Sequence, residues 1–258
     1  MLRFRIPGLG RGVSLALMTV VILLATANHV QAQTIRLGPK AGANLAWFSG
    51  SDWKDQMADY DDSFPDISVS NAVNPGFFVG GFLEIGLRPT LAVQMELLIG
   101  TLSGGRTIEE LIPPVRGKAS QQATVLTMPL LLKPKLEVGA SGAIYGLIGP
   151  EPGVILGDVR RKVREEIIFT FDTGAVTPDN RFVLAATIGS GYERRVGNGA
   201  WNAEIRYSRT FTSIFDENTT SSFLGYGNTR INSINFFVGY AFDLGTQHFR
   251  DGGQVVWG

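Results

Sequence analysis

The connections between the strand-like segments of this chain alternate strictly between long and short. Strand character is found in eight segments: 35–48, 77–88, 91–101, 122–136, 142–157, 181–195, 200–212 and 231–244. The segments that connect them contain 28, 2, 20, 5, 23, 4 and 18 residues. An antiparallel barrel in a bacterial outer membrane has this layout, because its short turns face the periplasm and its long loops face outward. The sequence therefore predicts an all-β fold, an eight-stranded antiparallel up-and-down transmembrane β-barrel with long extracellular loops and short periplasmic turns.

The N-terminal segment has the layout of a secretory signal. An apolar run over residues 13–27 follows three arginines and precedes a small-residue cleavage site at Ala32. The run is too short for a transmembrane helix, and no later segment is long and apolar enough for one. We predict a cleaved signal peptide over 1–32, an outer-membrane β-barrel domain over 33–245 and a C-terminal tail over 246–258. The expected location is the cell outer membrane.

Charge, cysteine and histidine content exclude several classes of function. The chain has 23 cations and 23 anions, and three of the cations lie in the predicted signal. The remainder is slightly acidic and offers no strongly basic face, so we expect no nucleic-acid partner. Cysteine is absent, which excludes a disulfide framework and thiolate chemistry. The two histidines, His29 and His248, lie in the signal and in the tail. We predict a protein that is not an enzyme, with no catalytic, cofactor or metal site.

Period-two alternation distinguishes two faces on the strands. In 231–244 one face carries Ile234, Phe236, Val238 and Phe242, and the other is mostly small or polar. The apolar faces of 77–88, 91–101 and 200–212 carry no formal charge. A soluble barrel would place charges there freely, so we interpret these faces as lipid-facing. Prolines and glycines within 149–153 predict a bulge or bend in that strand.

Aromatic residues near the strand ends are consistent with two interfacial girdles. The predicted periplasmic girdle comprises Tyr145, Tyr192, Trp201, Tyr240 and Phe242, and the predicted outer girdle comprises Trp47, Phe77, Phe182 and Phe211.

The opposite, inner faces carry equal numbers of positive and negative charges. The residues are Arg36, Lys40, Glu84, Glu96, Lys133, Glu193, Glu204 and Arg206. The interior of an eight-stranded barrel has room only for side chains, and buried charges must be paired. We therefore predict a plugged lumen with a charge-paired network. A gated ion path through the same network is the alternative.

Two of the long connections carry clusters of like charge. Six aspartates lie between residues 52 and 66, and their spacing fits a solvated acidic loop better than an EF-hand calcium loop. The connection that follows residue 157 carries Arg160, Arg161, Lys162 and Arg164. These cations could bind lipopolysaccharide phosphates or could belong to an exposed hairpin without a partner.

Several segments, in order along the chain, resemble the PorT-like outer-membrane β-barrel proteins. The segment 38–45 is similar to the "G-x-K-x-G-x-N-x-S" opening strand of that family, and 128–135 is similar to its "I-P-L-L-L-K-Y-K" strand. Residues 148–150 and 189–193 resemble two further elements. The resemblance implies an outer-membrane location and a barrel of about eight strands, like small OmpA- and OmpX-type barrels. Some members of the family serve secretion or gliding machinery.

We therefore expect a non-enzymatic outer-membrane β-barrel protein with a plugged lumen. Its role would be that of an envelope structural or surface-interaction protein, or of a subunit of a secretion-type envelope complex. The expected partners are outer-membrane lipid, lipopolysaccharide and an envelope protein complex, and no cofactor is expected. Two alternatives are a narrow channel or small-solute transporter, and a soluble lipocalin-like ligand-binding barrel whose apolar faces would point inward.

Overall fold

The computed structural model describes residues 34–49, 67–111, 114–165, 170–178, 180–213, 230–244, 247–250 and 254–257. The predicted signal peptide and the six aspartates of the first long connection lie outside these residues. Every regular element in the described part is a β-strand. None of the described segments forms a helix that is long and apolar enough to cross a membrane.

Twelve strands follow one another along the chain. They are β1 (Thr34–Ser49), β2 (Ile67–Arg88), β3 (Leu91–Leu111), β4 (Pro114–Thr127), β5 (Leu130–Val138), β6 (Gly142–Glu165), β7 (Thr170–Val176), β8 (Phe182–Val196), β9 (Gly199–Thr210), β10 (Arg230–Asp243), β11 (Gln247–Arg250) and β12 (Gln254–Trp257). The last two pair with each other and form a separate hairpin within the predicted tail.

The other ten strands form one antiparallel sheet whose pairings run in a ring. β1 pairs with β2 on one side and with β10 on the other, so that Leu37 lies opposite both Leu83 and Phe242. β4 and β5 share one position between β3 and β6, and β7 is an additional strand that pairs with β6. The predicted all-β antiparallel architecture is confirmed, and each of the eight predicted segments falls on a strand position of the ring.

Proline divides the fourth position of the ring into β4 and β5. The ladder with β6 is interrupted between the pair Thr127–Gly153 and the pair Leu132–Ile148. The interrupted stretch contains Pro129 on one side and Pro150 and Pro152 on the other. Because proline has no N–H to donate, regular pairing stops there. Bonds to the backbone of neighbouring strands continue, since Glu96 N–H donates to the Pro129 carbonyl at 3.0 Å.

Three of the predicted long connections contain a substantial amount of strand, and in the first of them β2 already begins at Ile67. β3 continues to Leu111 and β4 begins at Pro114, although 102–121 was predicted as a connection. β6 likewise continues to Glu165 and then pairs with β7.

The predicted bend of the fifth predicted strand lies further along the chain than residues 149–153. The register between β4 and β6 shifts at Gln122–Thr124, opposite Gly157, whose φ of 75° suits a bulge.

The two faces of the ring differ sharply in composition. Large apolar side chains point outward and are exposed, with Val238 at 58%, Ile188 at 57% and Phe77 at 56%. Charged side chains point inward, and Lys40 and Lys133 are each 1% exposed. The structure confirms that the predicted apolar faces point out of the ring at these positions and that the predicted charged residues point into it. The soluble lipocalin-like alternative requires the opposite arrangement.

The interior changes character along the strands. On β1 the charged Arg36 and Lys40 lie toward the short turns, whereas the buried Ala46 and Phe48 lie toward the long connections. Phe48 belongs to an apolar cluster of twelve buried residues, whose other members are Ala46, Phe78, Leu98, Leu102, Ala123, Val125, Ile155, Val159, Val183, Ile231 and Phe237. The charged part of the interior therefore lies between this cluster and the short turns.

Candidate functional site

The structure brings together all eight charged residues that the sequence places in the interior. They are between 1% and 8% exposed. With Lys135 and Asp243 they form two groups of ion pairs. The central cluster consists of Lys40, Glu96, Glu204 and Arg206, and the turn-side cluster consists of Arg36, Glu84, Lys133, Lys135, Glu193 and Asp243.

In the central cluster each carboxylate contacts both cations. Lys40 Nζ lies 2.6 Å from Glu96 Oε1 and 2.9 Å from Glu204 Oε1. Arg206 donates from Nη1 to Glu96 Oε2 at 2.7 Å and from Nη2 to Glu96 Oε1 at 2.6 Å. Arg206 Nη2 also donates to Glu204. Two cations and two carboxylates therefore neutralise one another. The residues come from β1, β3 and β9, so the cluster joins strands that lie on different sides of the ring.

The turn-side cluster is built on two glutamates that each bind two lysines. Lys133 Nζ lies 2.7 Å from Glu84 Oε2 and 3.0 Å from Glu193 Oε2. Lys135 Nζ lies 2.6 Å from Glu84 Oε1 and 3.0 Å from Glu193 Oε1. Arg36 completes the cluster, because its Nη1 contacts Glu193 at 3.2 Å and its Nε donates to Asp243 at 2.7 Å. The three cations and three carboxylates again balance.

Gln94 connects the two clusters. Its side chain is fully buried, at 0% exposed. Gln94 Nε2 donates to Glu96 Oε1 at 2.5 Å, and Gln94 Oε1 accepts from Lys133 Nζ at 3.3 Å. One neutral amide thus satisfies a carboxylate in one cluster and an ammonium in the other. Buried hydrogen-bond networks of this extent rigidify an interior and favour one side-chain arrangement.

Aromatic rings pack against the cations. Lys40 Nζ lies 4.7 Å from the centre of the Phe82 ring, and Arg206 Cζ lies 4.8 Å from the centre of the Phe237 ring. Both distances are within the range of cation–π attraction. Each ring covers one side of its cation with apolar atoms, which lowers the local dielectric constant and strengthens the ion pairs.

Tyr145 belongs to the interior, so the prediction that places it in the periplasmic girdle is wrong. It is 4% exposed, its hydroxyl donates to Glu204 Oε1 at 3.0 Å, and Lys133 Nζ lies 3.8 Å from its ring centre. A Cβ on Gly191 would lie 2.5 Å from Tyr145 Cζ, so the ring occupies space that only glycine leaves open. Ile144 on the same strand points outward. Both faces of β6 are apolar here, and alternation therefore does not indicate which face is inner.

Sequence reasoning also left Lys135, Asp243 and Gln94 out of the network. Lys135 lies two residues after Lys133, and continuing the alternation past Pro134 would have identified it. Asp243 is 44% exposed at its side chain and lies at the end of β10. Gln94 is uncharged, and a search for charges alone does not find it.

The predicted cluster of cations after residue 157 lies in the part of β6 that extends beyond the ring. Arg160 is exposed, and the register places Arg164 opposite Lys118 on β4 and Lys162 opposite Asp172 on β7. The side chains of Arg161, Lys162 and Arg164 lie outside the described part of the structure.

Within the described residues, no group of three or more acidic, histidine or cysteine side chains could hold a metal ion.

Comparison with known proteins gives one family and several structures of similar shape. The family model described as "outer membrane protein beta-barrel domain" matches residues 31–216. OprG, an outer membrane protein from Pseudomonas aeruginosa, is similar with a TM-score of 0.47 and 13% identity, over 83% of this chain and 97% of that chain. Ail, the attachment invasion locus protein of Yersinia pestis, is similar with a TM-score of 0.32 and 12% identity, over 81% of this chain and 99% of that chain. Scores and identities this low carry no argument about function. No curated protein matches the chain.

Proposed function

Since the chain belongs to the family of outer membrane protein beta-barrel domains, we propose that its ring of strands spans the outer membrane as an eight-stranded up-and-down barrel with a plugged lumen. The short turns then face the periplasm and the long connections face outward. The protein acts without catalysis, as an envelope structural or surface-interaction protein or as a subunit of a secretion-type envelope complex. Residues 1–32 serve as its cleaved export signal.

The observation that supports this proposal best is the separation of apolar and charged side chains by the wall of the ring. Large aliphatic and aromatic side chains cover the outside, and five cations and five carboxylates are paired on the inside. In water, the exposed apolar surface would be unfavourable and would cause association. In a bilayer the same side chains contact lipid tails, which are equally apolar, so their exposure is not unfavourable. A polar interior is normal for barrels of this kind.

The paired interior favours a structural or surface role over conduction. A diffusing ion would have to separate side chains that are ion-paired with one another in both clusters and that are packed against aromatic rings. Separating a buried ion pair is strongly unfavourable. The interior of an eight-stranded barrel also has little room besides that of its own side chains. The connections that face outward are then the parts that meet partners.

Two kinds of partner follow from this arrangement. Lipid surrounds the apolar wall, and lipopolysaccharide phosphates are the proposed ligands of Arg160, Arg161, Lys162 and Arg164, because charge-assisted bonds from cations to phosphate are strong. An envelope protein complex of the kind served by some PorT-like proteins is the other proposed partner.

Single-channel recording in planar bilayers tests the plugged lumen. The full mature chain should insert, show heat-modifiable gel mobility and give no stable openings. The matched comparison is a variant with the central cluster emptied by Lys40→Ala, Glu96→Ala, Glu204→Ala and Arg206→Ala. If that variant inserts, it should conduct more than the wild type. Stable openings of the wild type would support the narrow channel or small-solute transporter instead, and wild-type protein that stays in solution without detergent would contradict the membrane barrel.

A further inference from the structure

Three neighbouring side chains on the inner face each leave one polar atom without a hydrogen-bond partner among the described residues. Asn44 lies opposite Asn235 in the β1–β10 register, and Asn235 lies opposite Arg206 in the β10–β9 register. These residues are 1%, 3% and 2% exposed, respectively. The atoms without a partner are Asn44 Oδ1, Asn235 Oδ1 and Arg206 Nε. Buried polar atoms are almost always paired with protein or with ordered water.

The remaining polar atoms of these side chains hold them in position. Asn44 Nδ2 donates to the Thr101 carbonyl at 2.9 Å. Asn235 Nδ2 donates to Ser208 Oγ at 3.2 Å and to Ser233 Oγ at 3.2 Å. The two terminal nitrogens of Arg206 bind Glu96 and Glu204. A rotation that satisfied one of the free atoms would therefore break bonds that are already formed.

The chemistry of the free atoms identifies the ligand. The two amide oxygens accept hydrogen bonds, whereas Arg206 Nε carries a hydrogen and donates one. A bare cation would suit the oxygens but would be repelled by the guanidinium. An anion would suit Nε–H but would be repelled by the oxygens. Water donates twice and also accepts, and buried water typically makes about three such bonds.

We infer that the row Asn44–Asn235–Arg206 is an internal water site of the lumen. The water joins the central cluster to the polar layer next to it, where Ser208 Oγ donates to Glu151 Oε2 at 3.0 Å and Thr187 also donates to Glu151. The hydrogen-bonded network thereby extends from β1 through β10 and β9 to β8 and β6. The inference deepens the plugged-lumen proposal and rests on it, since the water fills space that side chains leave.

Water-to-amide cross-relaxation by NMR tests the site in the full mature chain, refolded in lipid nanodiscs. The side-chain amide protons of Asn44 and Asn235 should show cross-peaks to water with the sign of a long-lived bound molecule. Asn232 is the control, because protein groups satisfy it at both ends. Its Nδ2 donates to Ser49 Oγ at 2.7 Å, and its Oδ1 accepts from the Tyr207 hydroxyl at 3.0 Å.

The control also separates bound water from hydroxyl protons that exchange with water. Asn232 has hydroxyl groups on both sides, so a signal relayed by hydroxyl exchange would be at least as strong at Asn232 as at Asn235. Cross-peaks at Asn44 and Asn235 but not at Asn232 support the water site. Absence of cross-peaks at Asn44 and Asn235, or equal cross-peaks at all three residues, overturns it.

Arg206→Lys provides a second measurement. Lysine keeps a positive charge near Glu96 and Glu204 but lacks the Nε–H that has no protein partner among the described residues. The Asn235 cross-peak should weaken at least twofold while Asn232 stays unchanged. Because the wild-type spectrum alone decides the main question, the test does not depend on this variant folding.

The outcome is separable from that of the conductance experiment. A wild-type protein that conducts but shows the two cross-peaks would refute the plugged lumen and leave the water site in place. A protein that is silent in bilayers and lacks the cross-peaks would refute the water site alone.

Discussion

Arg206 donates two parallel hydrogen bonds to Glu96, at 2.7 Å and 2.6 Å, although the two residues lie 110 positions apart in the chain. They belong to β9 and β3, which are not neighbours in the sheet. The pair therefore fixes the distance between two sides of the ring, which backbone hydrogen bonds between adjacent strands do not do. Paired guanidinium and carboxylate groups have the geometry for this, because both are planar and bind through two atoms.

Glu96→Ala should destabilise the protein by about 3–5 kcal/mol, because it leaves Lys40 and Arg206 buried with only Glu204 to share. Urea-induced unfolding in lipid vesicles measures the free energy of unfolding. Glu137→Ala is the control, since Glu137 is exposed on β5 and its loss should change stability by no more than about 0.5 kcal/mol. A loss below about 1 kcal/mol for Glu96→Ala would contradict the buried network.

Tyr145→Phe should lower the free energy of unfolding by about 1.5–3 kcal/mol, because it removes the hydroxyl that donates to the carboxylate of Glu204. The variant keeps the ring that packs over Lys133. Tyr207→Phe is the matched control, since the Tyr207 hydroxyl donates to the neutral amide of Asn232. That loss should be smaller, about 0.5–1.5 kcal/mol. The same unfolding assay measures both, and the reverse order of the two losses would show that Tyr145 does not bind a charged group.

Gly191→Ala should destabilise the protein by about 1–3 kcal/mol, because the added methyl group meets the Tyr145 ring. Truncating the ring by Tyr145→Ala should relieve the clash. The double variant should therefore lose less unfolding free energy than the sum of the losses of the two single variants. Gly146→Ala is the control, since the nearest atom to its Cβ would be Pro134 Cγ at an ordinary 3.5 Å. If the stability losses of Gly191→Ala and Tyr145→Ala were additive in the double variant, the contact between Gly191 and Tyr145 would be excluded.

Val238→Lys should lower the free energy of unfolding in a bilayer by about 2–4 kcal/mol, because it places an ammonium group in the middle of the apolar band. Leu244 lies just beyond the end of β10, so Leu244→Lys should lower the free energy of unfolding by only about 0–1 kcal/mol, as expected near an interface. Both positions are more than half exposed, so burial in protein does not distinguish them. Equal costs in lipid vesicles would argue against a bilayer around the ring.

The sequence predicted the faces of the strands well, because the pleat of a strand converts alternation directly into two surfaces. Glu84 on β2 and Glu96 on β3 each lie between outward-facing apolar residues, so their inward position could be read from their neighbours alone. The structure places both on the inner face. Which cation each one binds depends on the register and on strands from other sides of the ring, and no local pattern carries that information.

Other features could not be read locally for identifiable reasons. Tyr145 lies on a strand with apolar residues on both faces, so alternation gives no signal there. The extensions of β3 and β4 contain glycines and a proline typical of loops, and the extension of β6 is rich in charged residues. All three are strands because they pair with one another. Gly157 carries the bulge because of its positive φ, whereas Pro150 and Pro152 interrupt only the pairing with β4 and β5, without shifting the register. The pairing of β6 with β8 continues across both prolines.

The pairing of β1 with β10 has a consequence for how the chain acquires its structure. Arg36 and Asp243, which join these strands, are separated by 207 positions. Until both ends of that span are present, the nascent sheet has two open edges that can capture other chains. Contacts of such large sequence separation also form slowly. A fragment that stops short of β10 therefore keeps both edges unpaired and should aggregate.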